Sequence, residues 1–374
     1  MKFLDLGWQR DQLEPELSAA ISEVISHGNF VNGDDVQHFE RNFSSYVGTS
    51  ECVSCANGTD ALELIFEALG IGRDSEVIVP AMTFAATSEA VWRAGAKPVL
   101  VDVDESATLD LQLVLEALTS KTRAVVAVHL YGFPVDVPLL AKMLADVGRE
   151  DIDIIEDSAQ AHGSRRRSQM AGGMGKAAAF SFYPGKNLGA FGDAGAVTTS
   201  DPNLAEKVRR LSNHGRLEKF DHEIVGRNSR MDSIQAAILS IKLTHLEKWL
   251  SRRREIASFY LEALGDVSWI NLPAVPNDGL HGWHQFAVEV PDRPAVRKHL
   301  GNAGIPTGVH YPQCLPDLPF HADSPPSNFP RAVRLAKHEL SLPVGEHLTD
   351  SDVERVVSAL QAFNPHSHNK ANGS

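Results

Sequence analysis

Residues 177–200 read AAAFSFYPGKNLGAFGDAGAVTTS, and how this stretch is read decides the fold. Two apolar, strand-like runs, 177–183 and 195–200, are joined by a glycine-rich connection of about a dozen residues with no helical apolar repeat. The connection therefore reads as a loop rather than a crossover helix. It holds one lysine, Lys186, set among Gly185, Gly189, Gly192 and Gly195. A solvated lysine needs no such setting, and a phosphate-binding lysine normally lies in a tighter pattern.

Five more strand candidates lie upstream: ECVSCA from Glu51, EVIVP from Glu76, PVLVDV from Pro98, AVVAVHL from Ala124 and DIDIIED from Asp151. Several are near-continuous apolar runs alternating with helix-like stretches, the pattern of strands covered on both faces. The expected fold is α/β, a seven-stranded, mostly parallel sheet. Downstream, 204–211 and 233–264 read as helices, the second long enough to join two units. Prolines then become frequent, a strand-like QFAVEV follows Trp283, and 295–303 and 350–362 suggest helices. The expected division is a large domain over 1–251, a smaller C-terminal α+β domain over 252–364, and a polar, disordered tail over 365–374.

The chain has 374 residues and a formal charge of −13, from 35 Lys+Arg against 48 Asp+Glu. That balance disfavours nucleic acid or an anionic membrane as partner and favours a small molecule. No apolar stretch approaches the roughly 20 residues that span a bilayer. The acidic start resembles no signal peptide, and three cysteines suit a reducing compartment, so a cytoplasmic protein is expected.

Three segments could carry chemistry. NGTDALELIFEALGIG, from Asn57, follows a strand and opens a helix, so the N–H groups of Gly58, Thr59 and Asp60 offer an anion site. An ordinary helix cap on Asn57 or Thr59 explains the same residues. DIDIIEDSAQAHG ends a strand in Glu156 and Asp157, and Asp157 is the better candidate to face a ligand at the C-terminal edge of the sheet. A cap on the following helix is its plainer reading. Lys186 lies 29 residues after Asp157, where burial would favour its neutral, nucleophilic amine. Pyridoxal 5′-phosphate calls for these three groups together: a lysine for its aldehyde, an anion site and a carboxylate for its ring nitrogen.

Other patterns carry less. Cys52 and Cys55 form a C-x-x-C, but in a strand positions three apart point to opposite faces. GGMGKA at Gly172 lacks the spacing and hydroxyl of a nucleotide-phosphate loop. The histidines of HGWH (281–284) and PHSH (365–368) read as ordinary packing or surface. No metal is expected.

NGTDAL, PAMTFAAT, VHLYGFPVD, EDSAQAHG, FSFYPGKNLGAFGDAGAV, NHG, GRNSRMDSIQAAIL and a late HYP together closely resemble the DegT/DnrJ/StrS family of sugar aminotransferases. The resemblance implies a fold type I, aspartate-aminotransferase-like subunit in a homodimer with active sites at the interface. It implies that Lys186 links covalently to the cofactor and then acts as general base, and that Asp157 partners the ring nitrogen. Gln160 matches the residue near the 3′-oxygen, and Phe84 the aromatic stacked on the ring. Gly58, Thr59 and Ser181 match the phosphate cradle, joined by Asn228 from the other subunit. Tyr183, His310 and Tyr311 fall on the sugar-binding side. The chain departs from the family where Pro316 occupies the place of a frequent histidine.

The same resemblance implies transamination of a nucleotide-linked keto-hexose with L-glutamate as donor. The segment 222–243 and its continuation look most like members that aminate C3. C4-specific and cyclitol aminotransferases share most motifs. Relatives that dehydrate sugars replace the lysine by histidine, and a non-catalytic regulatory role would leave Lys186, Asp157 and Gln160 without a use. Arg230 and the arginines near Arg252 are candidates to meet a diphosphate.

Overall fold

The computed structural model describes residues 1–218 and 220–365. The seven runs form one sheet: β1 (Glu51–Cys55), β2 (Glu76–Pro80), β3 (Lys97–Val101), β4 (Thr122–Val128), β5 (Asp153–Asp157), β6 (Ala177–Ser181) and β7 (Gly195–Thr199). Their spatial order is β1-β7-β6-β5-β4-β2-β3. Strands β2 to β6 are parallel, whereas β7 runs antiparallel to both β6 and β1. An antiparallel pair needs only a hairpin connection, so the glycine-rich loop can stay on one edge of the sheet without a crossover helix.

The near-continuous apolar runs follow from cover on both faces. Along β2, Val77 and Val79 pack into one core with Ala61, Leu64 and Ile65, while Ile78 faces the other with Val125 and Leu140. The first core is closed by α4 (Gly58–Ala68), α5 (Ala86–Arg93) and α8 (Pro202–Ser212), the second by α6 (Leu111–Glu116) and α7 (Val137–Asp146). Cys55 lies in the first core and Cys52 in a third, beside Phe39 and Phe180, so the two buried, free thiols point to opposite faces.

Before β1 the sequence reading assigns no element, yet three helices lie there: α1 (Leu6–Gln12), α2 (Glu16–His27) and α3 (Asp34–Val47). Val36, Phe39, Phe43 and Val47 recur at helical spacing in α3 and pack against Phe180 and Phe182. Helix α9 is continuous over Ser233–Ala263, and Arg252, where the smaller unit is expected to begin, lies inside it. Its C-terminal half contributes Ile256 and Tyr260 to a separate core around an antiparallel pair, β8 (Phe286–Glu289) and β9 (Glu339–Leu342). Helices α10 (Arg293–Asn302) and α12 (Asp350–Ala362) pack on that core, and α11 (Pro330–His338) lies against β8 and β9. Of the tail 365–374, only Pro365 falls within the described residues, and His366 and His368 lie outside them.

Candidate active site

The C-terminal ends of β5 and β6, the start of α4 and a segment after α10 enclose a cavity of about 850 Å³. Asn57 caps α4, its Oδ1 accepting the Asp60 N–H at 2.8 Å, and the first helical bond runs from Ala61 N–H to Asn57 O at 3.1 Å. The cap reading and the anion-site reading therefore both hold. Gly58 and Thr59 precede that first bond, and their N–H groups remain for a ligand at the cavity wall. Glycine is required here because a Cβ on Gly58 would stand 2.8 Å from the Ser181 Cβ, and one on Gly195 2.4 Å from the Asn57 carbonyl. The hairpin end and the helix start thus press together, bringing Gly58, Thr59 and Ser181 to one side of the cavity.

Alternation along β5 separates its two terminal carboxylates. Glu156 is fully buried and accepts N–H bonds from Gly172, Met174 and Gly175 at 2.7–2.8 Å. His129 accepts the Val135 N–H at Nδ1, so its Nε2–H donates to Glu156 at 2.9 Å. Glu156 is committed to structure. Asp157 lines the cavity instead, with Oδ2 accepting from the Thr87 hydroxyl at 2.8 Å and Oδ1 from the Ala159 N–H at 3.2 Å. Thr87 in turn shares a 3.0 Å bond with Thr83. The carboxylate is fixed in orientation while keeping acceptor capacity for a cation.

Lys186 stands on the same cavity wall, half-buried, and its loop is closely tied. Its N–H donates to Tyr183 O at 2.8 Å, Asn187 Nδ2 donates to Gly282 O at 2.8 Å, and Lys242 Nζ donates to Gly189 O at 2.7 Å. Gln235 receives the Phe191 N–H at 2.7 Å. Burial lowers the Lys186 amine from its ordinary 10.5 to about 8, with the Asp157 charge opposing the shift. A substantial neutral fraction at mild pH makes it a nucleophile and base.

Gln160 links two sides of the site. Its Oε1 accepts the Tyr131 N–H at 2.6 Å, so its Nε2 is the donor that reaches the Tyr311 hydroxyl at 2.9 Å. Tyr131, held at a left-handed φ of 60°, also donates its hydroxyl to the His310 carbonyl. Phe84 and Tyr311 meet at 5.5 Å between ring centres, and Phe84 and Tyr183 are 55% and 59% exposed, large for aromatic rings on a cavity wall. His310 and Tyr311 line the same cavity.

The structure thus brings together Gly58, Thr59, Phe84, Asp157, Gln160, Ser181, Tyr183, Lys186, His310 and Tyr311. Asn228 is exposed and lies outside its own chain's cavity. Pro316 does not line it either; its buried turn is tied by Leu315 N–H to Ala81 O. Arg252 pairs with Asp350, and Arg230 bonds Asn213, while Arg253 reaches the cavity wall with its guanidinium held by Glu346, Trp283 O and Val344 O. Sequence reading missed three residues. Thr87 ends the PAMTFAAT motif but has no assigned task. Tyr131 sits in VHLYGFPVD. His284, read as packing, in fact lines the cavity with Nδ1 3.3 Å from Asn187 Oδ1, and that contact closes over 97 residues with no local signal. His281 is indeed packing, stacked 3.7 Å from Trp283.

An amine-bearing loop, a fixed carboxylate and a helix N-terminus converging on one cavity define an aminotransferase subunit of the mixed α/β type. Residues 11–361 match the DegT/DnrJ/EryC1/StrS aminotransferase family, and the chain belongs to it. The erythromycin biosynthesis sensory transduction protein EryC1 of Saccharopolyspora erythraea is 44% identical, covering 96% of this chain and 98% of that protein. A dTDP-3-amino-3,4,6-trideoxy-alpha-D-glucose transaminase of Streptomyces venezuelae is 45% identical, covering 96% of this chain and 95% of its own length. The solved structure of S. venezuelae DesV in complex with a ketimine intermediate superposes with a TM-score of 0.93 at 44% identity, over 96% of this chain and 97% of that one.

Proposed function

We propose that the protein transfers the amino group of L-glutamate to the keto carbon of a nucleotide-diphospho-hexose, favouring C3, for amino-sugar biosynthesis, with pyridoxal 5′-phosphate as cofactor. The convergence of Lys186, Asp157 and the α4 N-terminus on one cavity carries this reading. The residues fit the group: free N–H donors and hydroxyls for a phosphate, an oriented carboxylate for a ring nitrogen, and a lysine of lowered basicity for an aldehyde. When bound, the cofactor supplies a carbonyl carbon that carries the amino group and a ring that withdraws electrons.

The rest of the chemistry belongs to the chain. Gly58, Thr59 and Ser181 would anchor the phosphate, Phe84 would flank the ring, and Asp157, held by Thr87, would keep the ring nitrogen protonated. Lys186 Nζ, freed by the donor, takes the proton from the glutamate α-carbon and delivers it back within the site. Tyr311 and Gln160 hold the 3′-oxygen side. Glutamate leaves as 2-oxoglutarate before the keto sugar enters, so the kinetics are ping-pong. Tyr183, His310 and Tyr311 face the sugar. The active unit is a homodimer, in which Asn228 serves the neighbouring subunit's phosphate; the exposure of Asn228 and of Val225 nearby, at 90%, supports this. A cytoplasmic setting agrees with the three buried free cysteines.

The deciding experiment is a spectrum of the purified protein before and after L-glutamate, followed by dTDP-linked 3-keto and 4-keto hexoses side by side. Loss of the yellow form with glutamate, and its return with the 3-keto sugar, is expected. Return with the 4-keto sugar alone overturns the C3 assignment. A separate expectation comes from the lowered basicity of Lys186. The neutral amine is the reactive form, so cofactor attachment to the apoprotein, followed by absorbance, accelerates with rising pH and levels off above about 8. An unperturbed lysine would go on gaining until near 10.5.

A further inference from the structure

His310 meets the cavity on one side and a buried polar chain on the other. Its main-chain N–H donates to Glu339 Oε2 at 2.7 Å, and its Nδ1 lies 2.8 Å from the Ser341 hydroxyl, which itself donates to Glu339 Oε1 at 2.5 Å. Glu339 and Ser341 are two apart on β9, on one face of the strand, and both are fully buried. Phe3 stacks against the His310 ring with centres 6.1 Å apart, fixing its plane. Among the described residues His310 Nε2 has no hydrogen-bond partner.

The proton count follows from this geometry. Burial raises the Glu339 carboxyl to about 7, against its two donors and the charges of Arg293 and Arg297, so above about pH 8 it is an acceptor only. Ser341 has one hydrogen and spends it on Glu339. The Ser341 oxygen then faces Nδ1 as an acceptor, and Nδ1 must carry the ring proton. Burial and the Lys186 charge hold His310 down to about 4, so the ring is neutral and Nε2 keeps a bare lone pair.

We propose that Ser341 and Glu339 are positioning residues that lock His310 in its Nδ1–H form, so that Nε2 accepts a hydrogen bond from a sugar hydroxyl and does not serve the diphosphate. The sugar-side placement of His310 rests on the functional reading above; the tautomer does not. A bare imidazole lone pair attracts an O–H and repels a phosphate oxygen. Arginine or lysine would suit the anion instead.

The test is ring-15N histidine labelling of the holoenzyme at about pH 8.5, with His310 assigned by its loss in His310→Gln. A protonated Nδ1 and unprotonated Nε2 are expected. In Glu339→Gln the amide oxygen must face the His310 N–H, so the amide NH₂ donates to Ser341 and the hydroxyl turns its hydrogen to Nδ1. That variant should invert the tautomer to Nε2–H and raise KM for the dTDP-3-keto sugar about tenfold. The glutamate half-reaction should change less than about twofold. Ser341→Ala should give a mixture of the two forms, and Ser341→Thr should restore Nδ1–H. An Nε2–H ring in the wild type, or an unchanged ring in Glu339→Gln, overturns the proposal. If the wild type converts neither keto sugar, the functional reading fails, and the tautomer spectra still decide this one.

Discussion

Lys186→Ala is expected to lose turnover by about 10⁴-fold or more, because in the proposed mechanism one side chain supplies both the covalent link and the base. The cavity keeps its other anchors: the α4 N-terminus, Ser181 and the Asp157–Thr87 pair are built on separate elements. The variant should therefore fold and retain cofactor without a covalent bond. Its spectrum should lack the lysine-linked band, and glutamate should change it only very slowly. Among the described residues Lys186 makes no side-chain hydrogen bond on which neighbouring backbone depends, whereas the fully buried Lys242 does. Alanine at 186 thus separates chemistry from architecture. Wild-type-like rates in this variant would remove Lys186 from the mechanism.

Asp157→Ala should cost about 10²- to 10³-fold in rate and weaken cofactor retention as well. The carboxylate is oriented by Thr87 and by the Ala159 N–H before any ligand arrives, so its effect on a ring nitrogen needs no rearrangement. Removing it takes away the negative charge that favours a protonated ring and leaves the Thr87 hydroxyl without its acceptor. In the proposed mechanism both half-reactions depend on the same protonated ring, so they should slow together. Single-turnover spectra with glutamate, and separately with an amino sugar, check this. Retention of cofactor at wild-type strength with an unchanged rate would remove Asp157 as the ring partner.

The strands were legible because burial on both faces leaves near-continuous apolar runs, and Lys186 and Asp157 because strand ends point functional groups at one edge. The direction of β7 was not: GAVTT is a buried apolar and β-branched run like the parallel strands elsewhere in the sheet, and the pairing of Gly195 with both Ser181 and Cys55 reveals that it runs the other way. Glu156 and Asp157 were separable in principle by alternation, and the structure assigns them to opposite faces as that rule requires. His284 was not legible. Its place beside Asn187 comes from the approach of two remote segments, and the HGWH motif gives no sign of which histidine turns inward. Ser341 and Glu339 likewise gain their meaning only from the strand that sets them under His310.

The loop that bears Lys186 has the composition proteases usually favour, rich in glycine and placed between two strands. Its backbone is nevertheless held at Tyr183 O, Gly189 O and the Phe191 N–H, and a Cβ on Gly189 would stand 2.4 Å from Pro184 O. Glycine serves compaction here, not looseness. A protease must seize an extended, pliable stretch of chain, and this segment offers none without first breaking bonds into α9 and the 282 turn. Nicking should begin elsewhere on the molecule, and the reactive amine should stay tethered in its intact hairpin after more exposed connections have been cut.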